Sequence, residues 1–176
     1  KDLAKKIGLS DIGQDTSKVL EYFSGNKPLP GSEPISLAYS GHQFGNFVPE
    51  LGDGRAVLLG ELLDKNGDRY DLQLKGSGQT PFSRDGDGRS ALGPVIREYI
   101  VSEAMHHLGI PSTRALAVIT TGENILREKI EPGAILVRVA KSHIRIGTFQ
   151  FGSLLKKRGD FDNLISYTIN RLQPDL

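Results

Sequence analysis

The residues best suited to chemistry in this chain gather in one stretch, Tyr70–Ser90, which reads YDLQLKGSGQTPFSRDGDGRS. Tyr70, Leu72 and Leu74 alternate with Asp71, Gln73 and Lys75, the period of a strand with one buried face. That strand ends in Lys75, on its polar face. A loop follows in which Gly76, Gly78, Gly86 and Gly88 stand among Ser, Thr, Asp and Arg. Glycine lets the backbone turn with positive φ and approach a ligand closely, leaving N–H groups free for phosphate oxygens. A lysine delivered from a strand into such surroundings points to a phosphate partner. The same letters also read as an ordinary turn-forming loop, because G-x-G tripeptides are common.

Two arginines extend the phosphate reading. Arg138 interrupts the apolar run Ala134–Ala140 (AILVRVA), and Arg145 follows after KSHI. An arginine inside a strand requires an anion, a wet cleft or a surface edge. Guanidinium binds phosphate bidentately, so a pair of arginines flanking a loop suits a polyphosphate; an edge strand with surface ion pairs is the other reading. Glu98 is a third candidate. It lies on PVIREYIVSEAMHHL at the margin of an apolar sector formed by Ile100, Val101, Ala104, Met105 and Leu108. A carboxylate beside an apolar face is costly without a cation. Either Glu98 meets Lys75, or it points to solvent.

The elements that must position these residues follow from local signals. Residues 1–14 give a short, basic, helical start. Asp15 or Thr16 caps a helix over Ser17–Phe23, with Gly25 just past its end, and Asn26–Pro34 (NKPLPGSEP) is a connector. Leu37–Arg55 is rich in glycine and aromatic residues without clear periodicity. Ala56–Glu61 is a strand, Asp64–Asp68 holds the Asn-Gly of a tight turn, and the lysine strand comes next. A glycine-containing segment, a hairpin and a lysine strand can place a nucleotide lid beside its phosphate lysine. Pro94 and Gly109 bracket a helix. Arg114–Thr120 and Ala134–Ala140 are strands, separated by turn residues at Thr121–Glu123 and at Pro132–Gly133. Asn163–Leu172 is a last helix capped by Asp160 or Asp162.

Composition narrows the classes. The chain has 176 residues, 38% of them hydrophobic, enough for a real core. Its net charge of +1 argues against a general nucleic-acid surface, and no stretch is long and apolar enough for a membrane span. Cysteine is absent, which excludes disulfides and thiol chemistry within these residues. His106 and His107 are adjacent on a helix and cannot share a ligand face, so no zinc set is expected. GSGQT is not a Walker loop, because its lysine precedes the glycines. Asp160-Phe161-Asp162 lacks the glycine of a metal-binding Asp-Phe-Gly, and Ser83 lacks the context of a nucleophile.

Taken together, GHQFG (Gly41–Gly45), LGDGRA (Leu51–Ala56), LQLKGSGQTPFSR with DGR (Leu72–Arg89), IREYIVSEAMHHLGIPSTRAL (Ile96–Leu116) and VRVAKSHIRIGTF (Val137–Phe149) resemble the selenoprotein O (SelO/YdiU) family. The resemblance runs in order through most of the chain. It implies an α+β, protein-kinase-like N-lobe built on a twisted antiparallel sheet with packed helices, over residues 35–176, after an N-terminal extension and connector at 1–34. It implies a protein adenylyltransferase that takes ATP with Mg²⁺ or Mn²⁺ and transfers AMP to Ser, Thr or Tyr hydroxyls of other proteins. Its setting would be a bacterial cytoplasm, or the mitochondrion for a eukaryotic member. By the same resemblance Gly52, Gly54, Arg55, Lys75, Asp87, Gly88, Arg138 and Arg145 are ATP contacts, and Glu98 is the partner of Lys75. The family's general base and metal ligands fall C-terminal of Leu176, so neither a catalytic base nor a metal site is expected within this chain, which alone should be inactive. The rival reading is a non-catalytic nucleotide-binding or scaffolding module with only the kinase-like shell.

Overall fold

A computed structural model describes residues 2–10, 14–155 and 158–175; Lys1, Leu176 and the remainder of the expected helical start at 11–13 lie outside them. The chain is mixed α and β. Helix α1 (Asp2–Lys6) and helix α2 (Thr16–Phe23) precede a two-stranded hairpin of β1 (Gly41–Gln43) and β2 (Asn46–Val48). The main sheet contains β3 (Ala56–Leu63), β4 (Arg69–Lys75), β5 (Ser90–Ala91), β6 (Arg114–Leu126) and β7 (Ile130–Ala140), with α3 (Leu92–His107) between β5 and β6. Helices α4 (Ile146–Leu154) and α5 (Arg158–Leu172) close the chain.

Every pairing in the main sheet is antiparallel, and β7 is its centre. Asp71–Lys75 of β4 and then Ser90–Ala91 of β5 pair along one side of β7, while β6 runs along the other. Lys75 thereby faces Leu136 in register, and Gln73 faces Arg138. The core lies against β4 and β7: Leu72, Leu74, Val137 and Val139 are each at most 1% exposed, and Ile7 and Phe23 from the N-terminal segment join them. Asp15 caps α2 by accepting from the Ser17 and Lys18 N–H groups at 3.0 and 3.4 Å, as its position before the helix predicts.

Several expectations need correction. Strand β4 is buried on both faces, since Asp71 and Gln73 are 4% and 0% exposed. The β6 and β7 strands continue through the predicted turn residues. Thr121–Glu123 sits at a register shift within β6, and Pro132 pairs with Asn124, near the end of the hairpin where β4 and β5 no longer flank β7. The reversal lies instead at Arg127–Lys129. Helix α5 begins at Arg158, so Asp160 and Asp162 lie inside it rather than capping it at Asn163; Asp160 in the first turn suits the helix dipole. Helix α4 and the β1–β2 hairpin carry no clear period in the sequence.

The far end of α5 is anchored by a buried cation. Arg171 reaches Asp71 and Glu61, and also donates to the Lys141 carbonyl at 2.9 Å. Asp71 in turn accepts from the His143 N–H at 2.7 Å. One carboxylate of β4 therefore fixes both the last helix and the start of the segment that carries Arg145.

Candidate functional site

The Lys75 end of β4 opens on a cavity of about 920 Å³. Its walls come from the loop before β3 with the strand's first residue (Leu51–Ala56), the end of β4, the Phe82–Arg89 loop, the turn after β6, and β7 with the segment beyond it. Lys75 ends β4 and Arg138 lies two residues before the end of β7, so sheet register fixes both. Arg145 is held at the entry to α4, where its N–H donates to the Thr148 hydroxyl at 3.1 Å. Gly52, Gly54, Arg55, Lys75, Asp87, Gly88, Arg138 and Arg145 all line this one cavity. Glu98 stands behind it on α3.

Charge is concentrated there. Seven cationic side chains line the cavity, from Arg55, Lys75, Arg84, Arg89, Arg127, Arg138 and Arg145, against the three anions Asp53, Asp85 and Asp87. The whole chain is almost neutral at +1, so this excess is local. A concave surface of one sign concentrates ions of the other.

Three of these cations, Lys75, Arg138 and Arg145, are held by a continuous hydrogen-bonded network. Lys75 Nζ meets Glu98 Oε2, and Arg138 Nη1 donates to the other oxygen of that carboxylate at 3.2 Å. Arg138 Nη2 donates to the Gln73 side-chain oxygen. The Gln73 amide nitrogen donates to Asp53 at 3.1 Å, and Arg145 Nη2 donates to the second Asp53 oxygen at 3.1 Å. Arg145 also lies over the Tyr39 ring, 4.4 Å from its centre. Burial pushes the Arg138 guanidinium down from its usual range, and the Glu98 and Asp53 carboxylates oppose that shift. Arg55 and Arg84 differ from the others: both are exposed, and neither guanidinium makes a hydrogen bond or ion pair among the described residues.

The helix that supplies Glu98 is turned otherwise than its apolar sector suggests. Ile100, Val101 and Leu108 are 60%, 54% and 73% exposed, whereas Val95 is buried against Ala115, Ala134 and Leu136. Glu103, on the sheet side, takes a two-point bond from Arg114 at 2.8 and 2.7 Å. Facing Glu98 and Glu103 inward meets Lys75, Arg138 and Arg114. The reverse orientation would leave the largely buried Arg138 without its nearest counter-charge.

The glycines close one loop against another. Gly52 has φ +62°, and a Cβ there would fall on the Phe82 ring; Gly88 has φ +65°, and its Cβ would strike the Gly78 carbonyl oxygen. Thr80 and Ser83 hydroxyls tie the same loops together by donating to the Asp53 and Gly54 carbonyls at 2.8 and 2.6 Å. Asp87 is bound to Arg127. Sequence reasoning missed Asp53, Gln73, Tyr39 and Arg127. A signal for the first was present in the Gly-Asp-Gly tripeptide before β3, while Gln73 looked like an ordinary outward residue.

Among the described residues no three His, Asp or Glu side chains converge as a metal-ligand set, and no helix is long and apolar enough to cross a membrane. Over residues 1–176 the sequence matches the family described as protein adenylyltransferase SelO. The chain belongs to the SelO family. Proteins named protein nucleotidyltransferase YdiU are similar throughout. That of Rhizobium leguminosarum bv. trifolii is 62% identical over 177 residues, covering 99% of this chain and 35% of its own length. That of Rhizobium rhizogenes is 59% identical over 175 residues, with 95% of this chain and 34% of the relative covered. That of Maridesulfovibrio salexigens is 61% identical over 168 residues, covering 94% and 34%. The chain thus spans about a third of the length of the curated SelO relatives it matches.

Proposed function

We propose that this chain is the ATP-binding part of a protein adenylyltransferase, with β3–β7 and α3 serving as a kinase-like N-lobe. The observation that carries this reading is the excess of cations in one cavity, four of which, Arg55, Lys75, Arg138 and Arg145, the SelO resemblance independently marks as ATP contacts. Lys75, Arg138 and Arg145 suit a triphosphate because each is oriented by a carboxylate or amide before a ligand arrives, which favours electrostatic stabilisation. Arg55 brings an uncommitted guanidinium. The triphosphate therefore fits the residues present. Ligands for Mg²⁺ or Mn²⁺ are not gathered among them: Asp53 and Asp87 are each engaged by an arginine. Those ligands and the general base are assigned to residues C-terminal of Leu176.

In the transfer, an acceptor Ser, Thr or Tyr hydroxyl oxygen forms a bond to the α-phosphorus of ATP. The bond from that phosphorus to the oxygen bridging to the β-phosphate breaks, pyrophosphate leaves, and the hydroxyl proton passes to the base. The role of this chain is to hold the phosphates and fix their geometry. The test incubates the full-length protein and the 176-residue chain with Mg²⁺ or Mn²⁺ and ATP labelled at the α-phosphate, followed by mass analysis of acceptor proteins. An AMP adduct from the full-length protein only, lost in Arg138→Ala, is expected. ATP binding without any adduct would establish the scaffolding alternative instead.

A further inference from the structure

Gln73 is completely buried, lies on β4 two residues before Lys75, and faces Arg138 across the sheet. Its side chain joins two charged groups that do not otherwise meet. The oxygen accepts from Arg138, and the nitrogen donates to Asp53, which holds Arg145. Only a group with both a donor and an acceptor meets these two demands at once. A glutamate would place a second carboxylate against Asp53, a lysine would face Arg138, and a leucine would leave Arg138 Nη2 and one Asp53 oxygen without this partner.

Its neutrality matters as much as its geometry. The carboxylate of Glu98 is shared between Lys75 and Arg138, and that of Asp53 faces Arg145. Three cations thus meet two anions, and an amide at position 73 leaves the remaining positive charge uncancelled. We propose that Gln73 is a positioning residue that sets the spacing of Arg138 and Arg145 and keeps their shared site short of charge neutrality, ready for a polyphosphate. The last clause rests on the nucleotide reading given above; the spacing does not.

The experiment uses full-length protein carrying Gln73→Leu or Gln73→Glu, with thermal unfolding, crystal structures without ligand, and ATP titrations at several salt concentrations. In Gln73→Leu the Arg138 and Arg145 guanidinium groups are expected to lose their fixed spacing, and the ATP dissociation constant to rise about tenfold. Gln73→Glu should bind ATP more weakly with a shallower salt dependence, because one positive charge of the excess is cancelled. That effect should be smaller in an Arg138→Ala background. If Gln73→Leu does not fold, Gln73→Glu and the double variant carry the test. Unchanged guanidinium positions in Gln73→Leu would overturn the inference. So would a folded Gln73→Glu protein with wild-type affinity and salt dependence, or one whose loss persists undiminished without Arg138. A wild-type protein that fails to bind ATP overturns the nucleotide reading instead, and the ligand-free structures then decide the spacing.

Discussion

Asp87 and Arg127 meet in a two-point ion pair, with both contacts at 2.8 Å, although 40 positions separate them. The pair fastens the Phe82–Arg89 loop to the turn between β6 and β7. Arg127 also donates to the Arg89 carbonyl at 3.0 Å, and Arg89 pairs with Glu123. One wall of the cavity is therefore closed by residues whose spacing in sequence gives no hint of contact.

The Arg127 guanidinium beside Asp87, aided by the Arg89 N–H, holds the Asp87 carboxyl at about 2. Arg127→Ala should raise it toward an ordinary aspartate value near about 4, read by carbon NMR titration of the carboxyl. The native value is depressed, so the pair stabilises the fold above pH of about 4 and loses that effect as pH falls toward about 2. Both side chains are substantially exposed, and the change in overall stability should be small. An unaltered titration in the variant would show that the pair does not form in solution.

Removing Glu98 should be felt more strongly. Its carboxylate serves Lys75 and also Arg138, whose side chain is only 13% exposed. Glu98→Ala is expected to lower the urea unfolding free energy by about 1–3 kcal/mol, the cost of a largely buried donor without its partner. Lys75→Ala leaves the Arg138–Glu98 contact in place and should cost less stability, while weakening nucleotide binding at least as much. Equal stability of wild type and Glu98→Ala would remove this carboxylate from the fold's supports.

Much of this was legible in the residues. The lysine strand, the hairpin before it and the helix carrying Glu98 follow from period, turn letters and bracketing Pro and Gly. What escaped were features fixed by tertiary contact. Alternation in β4 marks one apolar face but does not reveal that the polar face is also covered, which is what makes Gln73 a buried bridge. The apolar sector of α3 reads as the buried side, yet inward-facing carboxylates hold the helix the other way round. Thr121 and Pro132 read as breaks because turn letters are local, while β6 and β7 pair through them with one irregularity.

The packing of Phe82 against Gly52 gives a separate test. Gly52→Ala meets both a left-handed backbone and the Phe82 ring, so a loss of about 1–3 kcal/mol is expected. Adding Phe82→Ala should return the part due to collision and leave the backbone part. A double variant no more stable than the sum of its single changes would show that the ring is not the obstacle.

The partners in the network stand far apart along the chain: Lys75 and Glu98 by 23 positions, Gln73 and Arg138 by 65, Asp53 and Arg145 by 92. Each longer span carries a larger entropic cost of closure, and long-range contacts of this kind slow folding. The cavity therefore shares with the core its dependence on the long-range pairing of β4 with β7. During synthesis it has no existence until Arg145 has emerged and the central strand has found both its neighbours. A ligand that bound only the assembled cavity would by mass action stabilise the finished sheet against every partly paired form.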